Sequence, residues 1–224
     1  MIGSEQLPAA RRRIVLGAVA VAIGALLHAG TAFASGGNYV FEGGTPYEQQ
    51  QVRDALNASS FNWGLVTEQI TIVIAPVAVD ESIPGEIFLD PDLLDAGEFS
   101  WGVVQNEYAN QVDFFLLPKE DDAMVNGALG GTAWCYGDEP GLKLEQYGCE
   151  RFASTLAWSY WQSSQNCMQP SEVAGAVSAA MAPAAFRALI ATLLGSAAQT
   201  TAAPIGTVRA PVHRTRTTAA LRRR

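Results

Sequence analysis

The chain has 224 residues, with 22 acidic against 14 basic, three cysteines and two histidines. A formal charge of −8 argues against nucleic acid as a partner, because phosphate contacts need a basic face. A hydrophobic content of 49% supports a buried core rather than an unstructured chain.

Arg11, Arg12 and Arg13 precede an apolar run from Ile14 to Leu27, and Ala32-Phe33-Ala34 follows as a small-x-small triplet. That order is the layout of an export signal, so residues 1–34 are expected to be removed after Ala34. The mature protein is then expected outside the cell or in its envelope. The arginines also fit a twin-arginine signal, so the export route stays open, and an uncleaved segment would instead be a membrane anchor. Residues 35–195 have the length of one domain. From Ser196 the chain is Ala, Thr, Pro and Arg without apolar periodicity, which predicts a disordered tail, residues 196–224. Splitting the charge this way sharpens it. Between Ser35 and Gly195, five basic residues face 21 acidic ones, a formal charge of −16, while the tail holds six arginines and no acid.

Thr45-Pro46-Tyr47-Glu48 predicts a helix start, with threonine as cap, proline in the first turn and a glutamate that completes a capping box. The helix is expected to reach about Asn57. Ile70-Thr71-Ile72-Val73-Ile74 is a β-branched run typical of a buried strand. Pro84-Gly85 predicts a turn and Glu86 to Asp90 a second short strand, after which Pro91 breaks into an acidic turn. A long helix is expected from Ser100 to near Pro118, another from Glu150 to Trp161, and an Ala-rich one from Ser178 to Leu194, kinked or restarted at Pro183. One helix, two strands and three helices make an α+β domain.

The long helix carries Asn106-Glu107-Tyr108-Ala109-Asn110. At roughly 100° per residue, Asn106, Asn110 and Asp113 share a stripe with Glu107 at its margin, opposite the apolar Val104, Tyr108 and Val112. The spacing is that of HExxH, in which two imidazoles at i and i+4 hold zinc and the glutamate activates water. The octamer Asn-Glu-Tyr-Ala-Asn-Gln-Val-Asp at 106–113, with Glu150-Arg151-Phe152-Ala153 downstream, resembles the glutamate-zincin branch of bacterial metallopeptidases, whose helix reads HEFAHQLD. The resemblance covers about residues 65–165. It implies a zincin-like domain with a small sheet, an active-site helix and C-terminal helices. It also implies Glu107 as general base, Asn106 and Asn110 at the imidazole positions, Glu150 as carboxylate ligand and Asp113 as a supporting acceptor. The family's peptide-binding strand would correspond to Glu86–Asp90, and its oxyanion tyrosine to Tyr160, although Trp158, Tyr160 and Trp161 together read first as a core cluster.

Both imidazoles are lost. An amide oxygen is a neutral, hard donor that zinc binds weakly, and the only histidines, His28 and His213, lie in the signal and the tail. The expectation is an exported pseudo-metallopeptidase without zinc, a vestigial Glu107, and a cleft that binds peptide or protein. Two alternatives stay open. Asn106, Glu107, Asn110, Asp113 and Glu150 could offer oxygens to calcium or magnesium, supporting a hydrolase, or the chain is an unrelated secreted binding domain. Other chemistries find no support, because there is no Gly-x-Ser-x-Gly elbow, no phosphate loop and no base for a cysteine nucleophile. In an exported protein disulfides persist, and Cys135 with Cys149 is the preferred pairing, Cys149 with Cys167 the alternative.

Overall fold

The computed structural model describes residues 36–170, 177 and 180–198. The segment expected to be a signal, both histidines and the arginines of the tail therefore lie outside the described residues. Strand β1, Tyr39–Gly43, leads into helix α1, Pro46–Ala58. The capping box forms: Thr45 Oγ1 accepts from the Glu48 amide at 3.3 Å, and Glu48 Oε2 accepts from the Thr45 amide at 2.6 Å. Strand β2, Ile70–Ile74, buries its three isoleucines, while Thr71 and Val73 on the other face are half-buried. Strands β3, Glu81–Ile83, and β4, Glu86–Leu89, make a hairpin about Pro84-Gly85, where φ of +87° at residue 85 calls for glycine.

The sheet has the order β1-β2-β4-β3. Strands β1, β2 and β4 run parallel, and β3 is antiparallel to β4. This corrects one expectation. Glu86–Asp90 supplies an interior strand whose backbone is paired on both sides, so it cannot accept a further peptide strand. The edge beside the long helix is β3, hidden in the sequence because it is three residues long and begins with acid.

Helices α2, Pro91–Leu94, α3, Trp101–Leu116, α4, Asp122–Leu129, α5, Gly148–Tyr160, and α6, Pro183–Leu194, complete the domain. Helices α2 and α3 stand for the acidic turn after Pro91 and the expected long helix, whereas α4 and β1 were not expected. Among the described residues a mixed four-stranded sheet and six α-helices make the fold α+β. Helix α3 packs between α1 and α5 and also reaches β3 and β4. Its Val104, Tyr108 and Val112 join Val52 and Leu56 of α1, Phe152 and Leu156 of α5, and Ile72 and Ile87 of the sheet in one core. Ser196–Ala198 forms a last turn, and the Asn62 amide donates to the Ala198 carbonyl at 2.9 Å. The packed body thus continues beyond Gly195. Among the described residues, no helix is long and apolar enough to cross a membrane.

One buried side chain ties the hairpin to α3. Gln111 Nε2 donates to the Ile83 carbonyl at 2.9 Å and the Glu86 carbonyl at 3.1 Å, and its Oε1 accepts from the Gly85 amide at 2.9 Å. Three backbone groups of the turn depend on it. Gln111→Ala leaves them to partial solvation and is expected to cost about 2 kcal/mol in urea unfolding. A loss under ~0.5 kcal/mol would show that the turn holds itself.

Candidate functional site

Helix α3 delivers Asn106, Glu107 and Asn110 to one place because residues three and four apart share a helix face. Asn106 Nδ2 donates to Glu107 Oε1 and Asn110 Nδ2 donates to Glu107 Oε2, each at 3.3 Å. Edge strand β3 contributes Ser82, whose hydroxyl lies 2.8 Å from both the Glu107 carbonyl and Glu107 Oε2. Glu107 is 7% exposed, and desolvation raises its carboxyl above the ordinary range. The Ser82, Asn106 and Asn110 hydrogen bonds oppose that rise, while the charge of Glu150 adds to it.

Glu150 stands in the first turn of α5, where an acid suits the positive end of the helix. Burial raises its carboxyl as well, and the Tyr136 hydroxyl, donating to Glu150 Oε1 at 2.9 Å, works against this. Tyr136 is the functional residue that sequence reasoning missed. It sits in a glycine- and acid-rich loop with no periodicity to mark it. Its place is set by the Cys135–Cys149 disulfide next door, which is the pairing preferred from sequence, and by its ring lying 4.2 Å from that of Tyr147. Tyr147 is itself fully buried and fastens the loop, its hydroxyl donating to the Glu139 carbonyl and accepting from the Leu142 amide. Close packing is needed here: a Cβ on Gly148 would come within 2.3 Å of Asn126 Oδ1 and 2.6 Å of the Trp134 ring.

Tyr160, the sequence candidate for an oxyanion donor, is elsewhere. It is 3% exposed and its ring packs edge-on against Phe61, 5.1 Å away, so it belongs to the core. That is the core reading of the aromatic cluster, and ten residues of α5 separate Tyr160 from Glu150.

Glu107, Asn110 and Glu150 line one cleft of about 560 Å³ with Asp80, Glu81, Ser82, Tyr136 and the disulfide. Asp113 does not join them. It lines a neighbouring hollow of about 400 Å³ with Trp134, Lys119 and Asp122. Burial, then the charge of Asp122, push its carboxyl up to about 7, against the lowering influence of Trp134 and Lys119. Asp122 of the same hollow is half-buried.

The donor set does not fit zinc. The described residues contain no histidine, both carboxamides turn their nitrogens to Glu107, and no group of three or more His, Cys, Asp or Glu side chains among them is gathered as metal ligands are. The amides serve as hydrogen-bond donors to the Glu107 carboxyl. What the arrangement can do is hold protons and hydrogen-bond donors at the floor of an acidic cleft. Comparison with protein-family models, with curated proteins and with solved structures gives no match.

Proposed function

We propose that the chain is an exported, zincin-like pseudo-metallopeptidase whose cleft binds an extended peptide without zinc-dependent cutting. The observation that carries this reading is the rim of the cleft. Val79, Phe114, Tyr136 and Leu144 are exposed large apolar side chains, 38 to 73% accessible, and all four line it. Exposed apolar groups collected round one concavity mark an interaction surface, whereas scattered ones mean nothing. Edge strand β3 runs along the same cleft through Ser82, and an unpaired edge is a ready partner for an extended segment. Asn106, Glu107, Asn110 and Glu150 then retain the positions of a zinc peptidase while lacking its metal chemistry, with Glu107 vestigial as a base.

The test uses the mature domain and fluorescein-labelled fragments of reduced, alkylated casein. Binding is expected in anisotropy, with no chelator-sensitive cleavage even at micromolar added zinc. The double variant Phe114→Ala with Leu144→Ala is expected to weaken binding about tenfold or more, the scale of losing two contact anchors. Zinc-dependent hydrolysis by the native domain would overturn the reading, as would unchanged affinity in the double variant.

A further inference from the structure

The cleft joins two features that no simple ligand matches together. The cleft is acidic: Asp80, Glu81, Glu107 and Glu150 line it, with Glu107 buried at its floor and Glu81 exposed, and no lysine or arginine is among its lining residues. Glu107 is held 7% exposed without a counter-charge. Buried carboxylates of this kind remain costly until a cation reaches them. The rim, by contrast, is apolar, with Val79, Phe114 and Leu144 standing between that floor and solvent. A metal ion would use only the floor, and an apolar peptide only the rim.

We infer that the peptide taken by this cleft presents a lysine or arginine flanked by apolar residues, its cationic head reaching between Glu107 and Glu150. This rests on the peptide-binding reading above. The side-chain chemistry matches in depth as well as in charge. A lysine or arginine has an aliphatic stem that packs on apolar surface while its head seeks polar partners, so the stem crosses the rim and the head meets the floor. At the floor, carboxylate oxygens of Glu107 and Glu150 accept from the head, and the Ser82 and Tyr136 hydroxyls are already placed to orient those carboxylates. Apolar neighbours of the cationic residue then cover Val79, Phe114 and Leu144.

Three blocked pentapeptides test this by calorimetry with the mature domain: Ala-Leu-Lys-Leu-Ala, the same with norleucine for lysine, and the same with glutamate. The lysine peptide is expected to bind at least tenfold tighter than the norleucine peptide, and the glutamate peptide not to bind. Glu107→Gln and Glu150→Gln should each erase most of the preference for lysine over norleucine, and cooperative urea unfolding of each variant checks that it is folded. Equal binding of the lysine and norleucine peptides would overturn the cationic preference and leave peptide binding intact. Failure of all three peptides at millimolar concentration would overturn both. Spermidine competing as strongly as the lysine peptide would also sink the inference, because it would show that the rim plays no part.

Discussion

Replacing Asn106 and Asn110 together by histidine is expected to turn a cleft of poor zinc donors into a zinc site. The two positions share a face of α3; Asn110 and Glu150 line one cleft, and Asn106 is buried beside it against Glu107, so the variant brings two imidazoles to the neighbourhood of a carboxylate. Zinc prefers such a set, with a fourth position left to solvent. A supporting hydrogen bond alone is worth roughly 10–100-fold in metal affinity, so two restored ligands should be worth on the order of 10³-fold or more. Competition against a fluorescent chelator measures it directly. The native domain should lose zinc during dialysis at micromolar metal, and the double variant should retain one equivalent. Chelator-sensitive peptidase activity confined to the variant would further support descent from a working enzyme. If the variant holds no more zinc than the native domain, the spacing at 106–110 is coincidence and the proposed ancestry fails.

Raising the pH from about 4 to above 7 is expected to destabilise the native domain, and Asp113→Asn to relieve most of that loss. Asp113 is 7% exposed, and its carboxyl is raised from 3.8 to about 7, chiefly by burial and then by Asp122. The folded state therefore favours the protonated form. For a group raised in this way, the stabilising contribution is complete below about pH 4 and is lost as pH climbs through 7. A rise of this size corresponds to roughly 4 kcal/mol across the window. Asparagine imitates the neutral carboxyl and does not titrate. Urea unfolding at pH 5 and pH 8 should show the variant ahead of the native domain by several kcal/mol more at pH 8 than at pH 5. Glu107 and Glu150 are raised by burial too, so the native domain keeps some alkaline sensitivity after the substitution. An equal difference at both pH values would mean that solvent reaches Asp113 and the burial argument is wrong.

The parts of this protein legible in the linear chain share a short physical range. The Thr45–Glu48 box closes over three residues, and the isoleucine alternation of β2 repeats every two. The stripe of Asn106, Asn110 and Asp113 follows from helical pitch alone, and the Cys135–Cys149 pairing spans only 14 residues. Even there the reading was incomplete. Pitch places Asp113 on the stripe, yet its surroundings put it in the adjoining hollow with Trp134, away from Glu107. Strand β3 and helix α4 were missed because their residues are acidic or short in register, and pairing or packing against α3 and α5 decides their conformation. Gly130, in the left-handed region with φ of +72° after Leu129, was the available sign that a helix ends there.

By itself, then, the chain determined its α+β class, the helix that bears the candidate residues, the presence of asparagine at 106 and 110, and the acidity of its body. These depend on composition, on periods of two or 3.6, and on which donor atoms are present at all. Only the tertiary structure decided that Tyr136 rather than Tyr160 meets Glu150, that Ser82 meets Glu107 across 25 residues of sequence, and that β3 rather than β4 forms the free edge. Each of those is a contact between elements whose meeting is enforced by burial of the shared core, and no local period records it.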